Sequence, residues 1–141
     1  MGVGAAAVVL AWLAVLCTYD IRQRRLPNWL TLPGAVAIGA VAAVTGHGVA
    51  AAAGAAALAA LYLIVHLASP RAMGGGDVKL ALGVGGLTGV FGADVWVLAA
   101  LGAPVLTAVL ALGAAMRGRL TVPHGPSMCI ASAVAIGLVV L

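Results

Sequence analysis

The chain has 141 residues, 65% of them hydrophobic and 7% charged, with a formal net charge of +4. A water-soluble domain carries about 25% charged residues, so these side chains cannot cover a water-facing surface, and a nucleic-acid-binding role for the positive charge is set aside. The solvent for this chain is lipid, and its basic residues are expected to orient helices across a membrane and to contact lipid head groups.

Polar punctuation divides the sequence into six apolar runs, at about 3–19, 29–46, 49–68, 78–92, 95–116 and 125–141. A perpendicular span needs about 20 residues at about 1.5 Å each. The first three runs and the fifth meet that length. The fourth and sixth are short, which fits a tilted, re-entrant or flank-extended segment. Strand-like alternation is absent, and a helix satisfies its own backbone in lipid. The expected fold class is therefore all-α, a polytopic membrane protein of about six transmembrane helices in a single domain, 1–141. The first run has the look of a signal-peptide core. It lacks a basic leading region and a convincing cleavage site, so a retained helix is expected. The alanine- and glycine-rich stretches read as close helix packing.

The loops alternate in character. DIRQRRLPN, SPRAMGGGD with the adjoining Lys79, and RGRLTVPH hold all seven Lys and Arg residues, whereas TGHG and FGAD hold none. By the positive-inside rule the basic loops face the cytoplasm and both termini lie outside. Asp20 and Asp77 then share the cytoplasmic boundary, and Asp94 lies on the opposite side, where a cap or surface role is expected.

Two carboxylates at one membrane depth can meet if their helices are neighbours. Such a pair cannot ionise twice cheaply, so one acid keeps a proton. The ionised acid can activate water while the protonated one polarises a carbonyl. Spacing alone leaves alternatives open: Asp77 as a helix N-cap, and Asp20 as a charge balancing nearby arginines. Gly74, Gly75 and Gly76 permit tight turns, positive φ and close backbone approach, or form an ordinary hinge. A phosphate-binding loop would need a different order of residues. Lys79 either tunes Asp77 or, the preferred reading, snorkels to lipid head groups. Pro27 restricts Leu26 and can open a helix, and Asn28 caps locally or bonds within the site. Arg22, Arg24 and Arg25 read as orientation and lipid contacts. His66 is a candidate as an imidazole at membrane depth, His47 lies on the outer side, and His124 in PHGPS reads as structural. Cys17 and Cys129 show no metal-ligand spacing, so packing is expected and no metal or other cofactor.

DIRQRRLPNWLTLP, residues 20 to 33, and GGGDVKL, residues 74 to 80, together resemble the two signature regions of type IV prepilin peptidases, the membrane aspartic proteases related to archaeal preflagellin peptidases. The resemblance runs over nearly the whole chain. It implies that Asp20 and Asp77 are the catalytic pair, with Gly74 and Gly76 the framing glycines of a GxGD motif and Gly75 in its free position. It also implies removal of a short basic leader from prepilin or pilin-like proteins, at the cytoplasmic face of the inner membrane, with no cofactor. PHGPSM resembles a proline–glycine–proline stretch before the last span of many members and departs from it at His124, where an aromatic is common. Many bacterial members carry an additional N-terminal region, often with paired cysteines, associated with methylation of the product. This sequence resembles the peptidase core alone, similar to stand-alone peptidases of tight-adherence or Flp-type pili, so methylation would fall to another protein. The rival readings are a small proton- or ion-coupled transporter, whose acids would sit nearer mid-bilayer, and a non-catalytic membrane subunit of pilus or secretion machinery. Oligomeric state is left open.

Overall fold

The computed structural model describes residues 2–140. Met1 and Leu141, the latter the end of the sixth expected run, lie outside them. Among the described residues the chain forms six α-helices and no strand: α1 (Val3–Gln23), α2 (Asn28–Val44), α3 (Gly48–Ala68), α4 (Gly75–Val90), α5 (Ala93–Ala115) and α6 (Gly125–Val140). The helices α1, α3 and α5 are long and apolar enough to cross a membrane, and α2 and α6 are shorter apolar helices. The second run, read as full length, yields only the 17 residues of α2, because Thr45 and Gly46 end it.

Two helices differ from their apolar runs in a way that matters for function. The first extends past residue 19 through Asp20 to Gln23, because nothing in DIRQ opposes helix. It stops where Arg24 takes up the left-handed conformation, φ 49°, and donates its amide to the Asp20 carbonyl. Leu26 and Pro27 then forbid continuation. The fourth begins at Gly75 rather than 78, so two glycines of the GGGD stretch form helix rather than hinge.

The helix α4 is the hub, packed most extensively on α3 and also against α2, α5 and α6, while α1 packs on α6. Glycines make this possible. Gly85 and Gly89, four residues apart on α4, face Gly54 on α3. A Cβ on Gly85 would stand 2.5 Å from the Gly54 carbonyl oxygen, and one on Gly89 2.6 Å from that of Ala50. The two backbones therefore touch, which in lipid replaces the missing hydrophobic drive with dispersion contact. The Gly54 carbonyl also accepts the Trp96 indole N–H at 3.0 Å, tying α5 to the same crossing. On the other flank Trp12 of α1 wedges between Gly34 and Gly83 and donates Nε1–H to the Leu30 carbonyl at 3.0 Å. Two buried hydroxyls return to their own helices, Thr88 to Val84 and Ser132 to Met128, as hydroxyls within a helix can, whereas the buried Ser127 hydroxyl has no partner among the described residues. Valines and leucines on the outside, such as Val36, Val49, Leu101 and Leu138, remain exposed, a surface suited to acyl chains.

Gly85→Ala should therefore lower the thermal midpoint of the protein in detergent, by an overpacking cost of about 1–3 kcal/mol. Gly39→Ala on α2 meets nothing within 4 Å and should leave the midpoint unchanged or slightly raised. Equal midpoints for the two variants would contradict the α3–α4 crossing.

Candidate active site

At one end of the bundle α1 finishes while α2, α4 and α6 begin, so helix ends of opposite polarity converge. Asp20 sits in the last turn of α1 and is buried, 8% exposed. Its Oδ2 accepts the backbone N–H of Gly125, the first residue of α6, at 3.0 Å. An unpaired amide at a helix N-terminus suits an anion, and the helix dipole adds to that preference. The fit is close: a Cβ on Gly125 would lie 2.5 Å from the same carboxylate oxygen. The Arg24 charge lies near enough to Asp20 to act on it, in keeping with the charge-balancing alternative, but the Arg24 guanidinium has its hydrogen bond elsewhere. It donates from Nη1 to Thr121 Oγ1 at 2.7 Å, so Arg24 ties α1 to the α5–α6 connection.

Asp77 occupies the first turn of α4, before the apolar run that begins at Val78. It is not an N-cap. That position belongs to Gly74, which is extended at φ −76°, ψ 152°, and no side chain caps the helix. The Asp77 amide bonds to the Gly74 carbonyl at 3.1 Å. Burial pushes the Asp77 carboxyl up to about 6, the nearby Asp20 charge pushes the same way, and the Gly74 backbone opposes both.

Both acids line one pocket of about 370 Å³, together with Arg24, Arg25, Leu26, Lys79 and the three glycines. The glycines adopt no positive φ. Nor are they clamped by neighbours: Cβ atoms on Gly74, Gly75 and Gly76 would come no closer than 4.0, 3.9 and 3.4 Å to another atom. Neither strain nor close internal packing accounts for glycine here, and all three glycines line the pocket. Lys79 has a protein partner that its place in the sequence does not reveal. Its Nζ donates to Asn28 Oδ1 at 2.7 Å, joining the start of α2 to α4 beside the acids. Pro27 is the N-cap residue of α2, and its carbonyl accepts the Thr31 amide. His66 braces the loop before Gly74: Nδ1 lies 2.7 Å from the Met73 carbonyl, which can only accept, so Nδ1 carries a proton. Among the other candidates, Asp94 is exposed in the first turn of α5, His47 is the N-cap residue of α3, and Cys129 is buried in the core.

Tyr62 and Gly125 went unnoticed in the sequence. The Tyr62 hydroxyl is 2.8 Å from His124 Nε2. Gly125 carried a signal only in its setting between Pro123, His124 and Pro126, a rigid opening to the last helix.

The arrangement offers a buried acid held by an amide donor and a half-buried one, within a pocket edged by cations. Compared with known proteins, residues 7–141 match the family model described as the type IV leader peptidase family. No curated protein and no solved structure matches the chain.

Hydrolysis that needs one proton on the acid pair should fall as pH rises through about 6, where Asp77 gives its proton up. A rate–pH profile measured in detergent checks this. A rate that climbs steadily across that pH would contradict a protonated Asp77 in the working state.

Proposed function

The chain belongs to the type IV leader peptidase family, and from that premise we propose that it is an aspartic endopeptidase cutting the short basic leader from prepilin or pilin-like proteins. The observation that carries the reading is the meeting of Asp20 and Asp77 in one pocket. The two come from separate signature stretches and are joined only by the fold.

The pair holds one proton. Asp20, accepting the Gly125 amide, serves as the base, and Asp77 as the acid. Asp20 takes a proton from a water molecule as the water oxygen attacks the scissile carbonyl carbon, while Asp77 gives its proton to the carbonyl oxygen. Collapse of the tetrahedral intermediate returns the hydroxyl proton to Asp77 as the carbonyl re-forms. The C–N bond breaks, and the proton on Asp20 passes to the leaving amine. Water is consumed, two peptides form, and both acids regain their starting states. Gly74, Gly75 and Gly76 leave room for the substrate backbone beside Asp77. Lys79, held by Asn28, and Arg24 keep positive charge at the edge of an acid pair, and Pro27 fixes the entry to α2.

The substrate's own apolar helix would reach the pocket sideways through lipid, with its leader on the cytoplasmic side of the inner membrane. The basic loops around the pocket support that orientation by the positive-inside rule, which places both termini outside.

Purified protein in detergent, incubated with an intact prepilin-like substrate, should release a leader peptide of one defined mass with no added cofactor. Mass spectrometry of both products checks it. Ion uptake into proteoliposomes without cleavage would establish a transporter instead, and stable substrate binding without turnover a non-catalytic subunit.

A further inference from the structure

One chain of polar groups, Tyr62 buried and the other two half-buried, takes no part in the mechanism above. Tyr62 on α3, His124 before α6 and Thr107 on α5 are linked through the two ring nitrogens of the histidine, Tyr62 at 2.8 Å from Nε2 and Thr107 Oγ1 at 2.6 Å from Nδ1. The direction of each bond follows from proton counting. Thr107 has a single hydroxyl proton and donates it to the Ala103 carbonyl at 3.0 Å, because a carbonyl oxygen only accepts. Its oxygen must therefore accept from Nδ1–H. Nε2 of the neutral ring is then the acceptor for the Tyr62 hydroxyl. Neutral His124 satisfies every member, whereas a second ring proton would leave the Tyr62 hydrogen without this acceptor. Burial lowers the pKa of His124 and favours the same neutral state.

The backbone of His124 is fixed as firmly as its ring. Its carbonyl accepts the Met128 amide at 3.2 Å, the first helical bond of α6. Pro123 and Pro126 restrict φ on either side. The next amide along the chain is Gly125 N–H, the one that meets Asp20 at 3.0 Å.

We propose that His124 is a positioning residue for Asp20: its ring, pinned between Tyr62 and Thr107, holds the start of α6 where the Gly125 amide reaches the carboxylate. The inference rests on the reading of Asp20 as half of the acid pair. His124 touches neither the substrate nor the reacting atoms. It acts through the peptide group that follows it, and so couples α3 and α5 to the far end of α1.

The sequence supplies a selective probe. A His–Gly step occurs at His47–Gly48 and at His124–Gly125. Histidine labelled at the carbonyl carbon, combined with ¹⁵N-glycine, therefore isolates these two amides in an NMR spectrum of the protein in micelles. Gly48 opens α3 and reports on a different part of the fold. In Tyr62→Phe and Thr107→Val the Gly125 amide proton should move upfield as its bond to the carboxylate lengthens, with Gly48 unmoved. Cleavage of the prepilin-like substrate by the same variants should show kcat about tenfold lower at unchanged KM. His124→Gln, which keeps an acceptor for Tyr62, should retain more activity than His124→Phe. An unmoved Gly125 signal, or a moved one with unchanged kcat, would overturn the proposal. If the unaltered protein cleaves nothing, the peptidase reading fails, and the amide shift alone decides the positioning.

Discussion

The amide of Gly125 meeting the carboxylate of Asp20 closes the bundle across 105 residues of sequence. In an apolar interior a carboxylate needs a donor, and a helix N-terminus needs an acceptor. Each is the answer to the other. Docking the end of α1 on the start of α6 leaves the loop between α1 and α2 folded over the same end of the molecule, where Arg24 reaches Thr121. The second acid arrives by an unrelated route. Glycine packing between α3 and α4 sets the depth of α4, and its first turn delivers Asp77 to the pocket that Asp20 lines.

Much of this was legible in the residues. Low charge and long apolar runs give an all-helical membrane protein without reference to any other sequence. The basic loops group Asp20 and Asp77 at one boundary. What composition could not supply was the end of each helix, since apolarity marks lipid contact and not helix formation. Asp20 to Gln23 are polar and helical, and Gly75 and Gly76 are poor helix formers held in a first turn. Partners distant in sequence were also hidden. Nothing local shows that Asn28 will stand beside Lys79, and Gly125 gives no sign of its role because the need it meets belongs to residue 20.

The glycines divide into two kinds that the sequence does not distinguish. Gly54, Gly85 and Gly89 are required by contacts inside the fold, where any Cβ would strike backbone. Gly74, Gly75 and Gly76 meet no such contact and face the pocket. Their smallness is useful only to something that enters, which is how an extended peptide would come to lie against Asp77. The same division separates changes expected to act on stability from changes expected to act on turnover.

The central claim is that Asp20 and Asp77 work as one unit, and a double-mutant comparison addresses it directly. Leader release should be measured for Asp20→Asn, Asp77→Asn and the double variant, each shown by its thermal midpoint to be folded. Each single change should reduce kcat by about a thousandfold or more, and the double change should cost little beyond either, because groups that act together are lost together. Turnover retained by either single variant, or losses that multiply in the double variant, would contradict a shared acid pair.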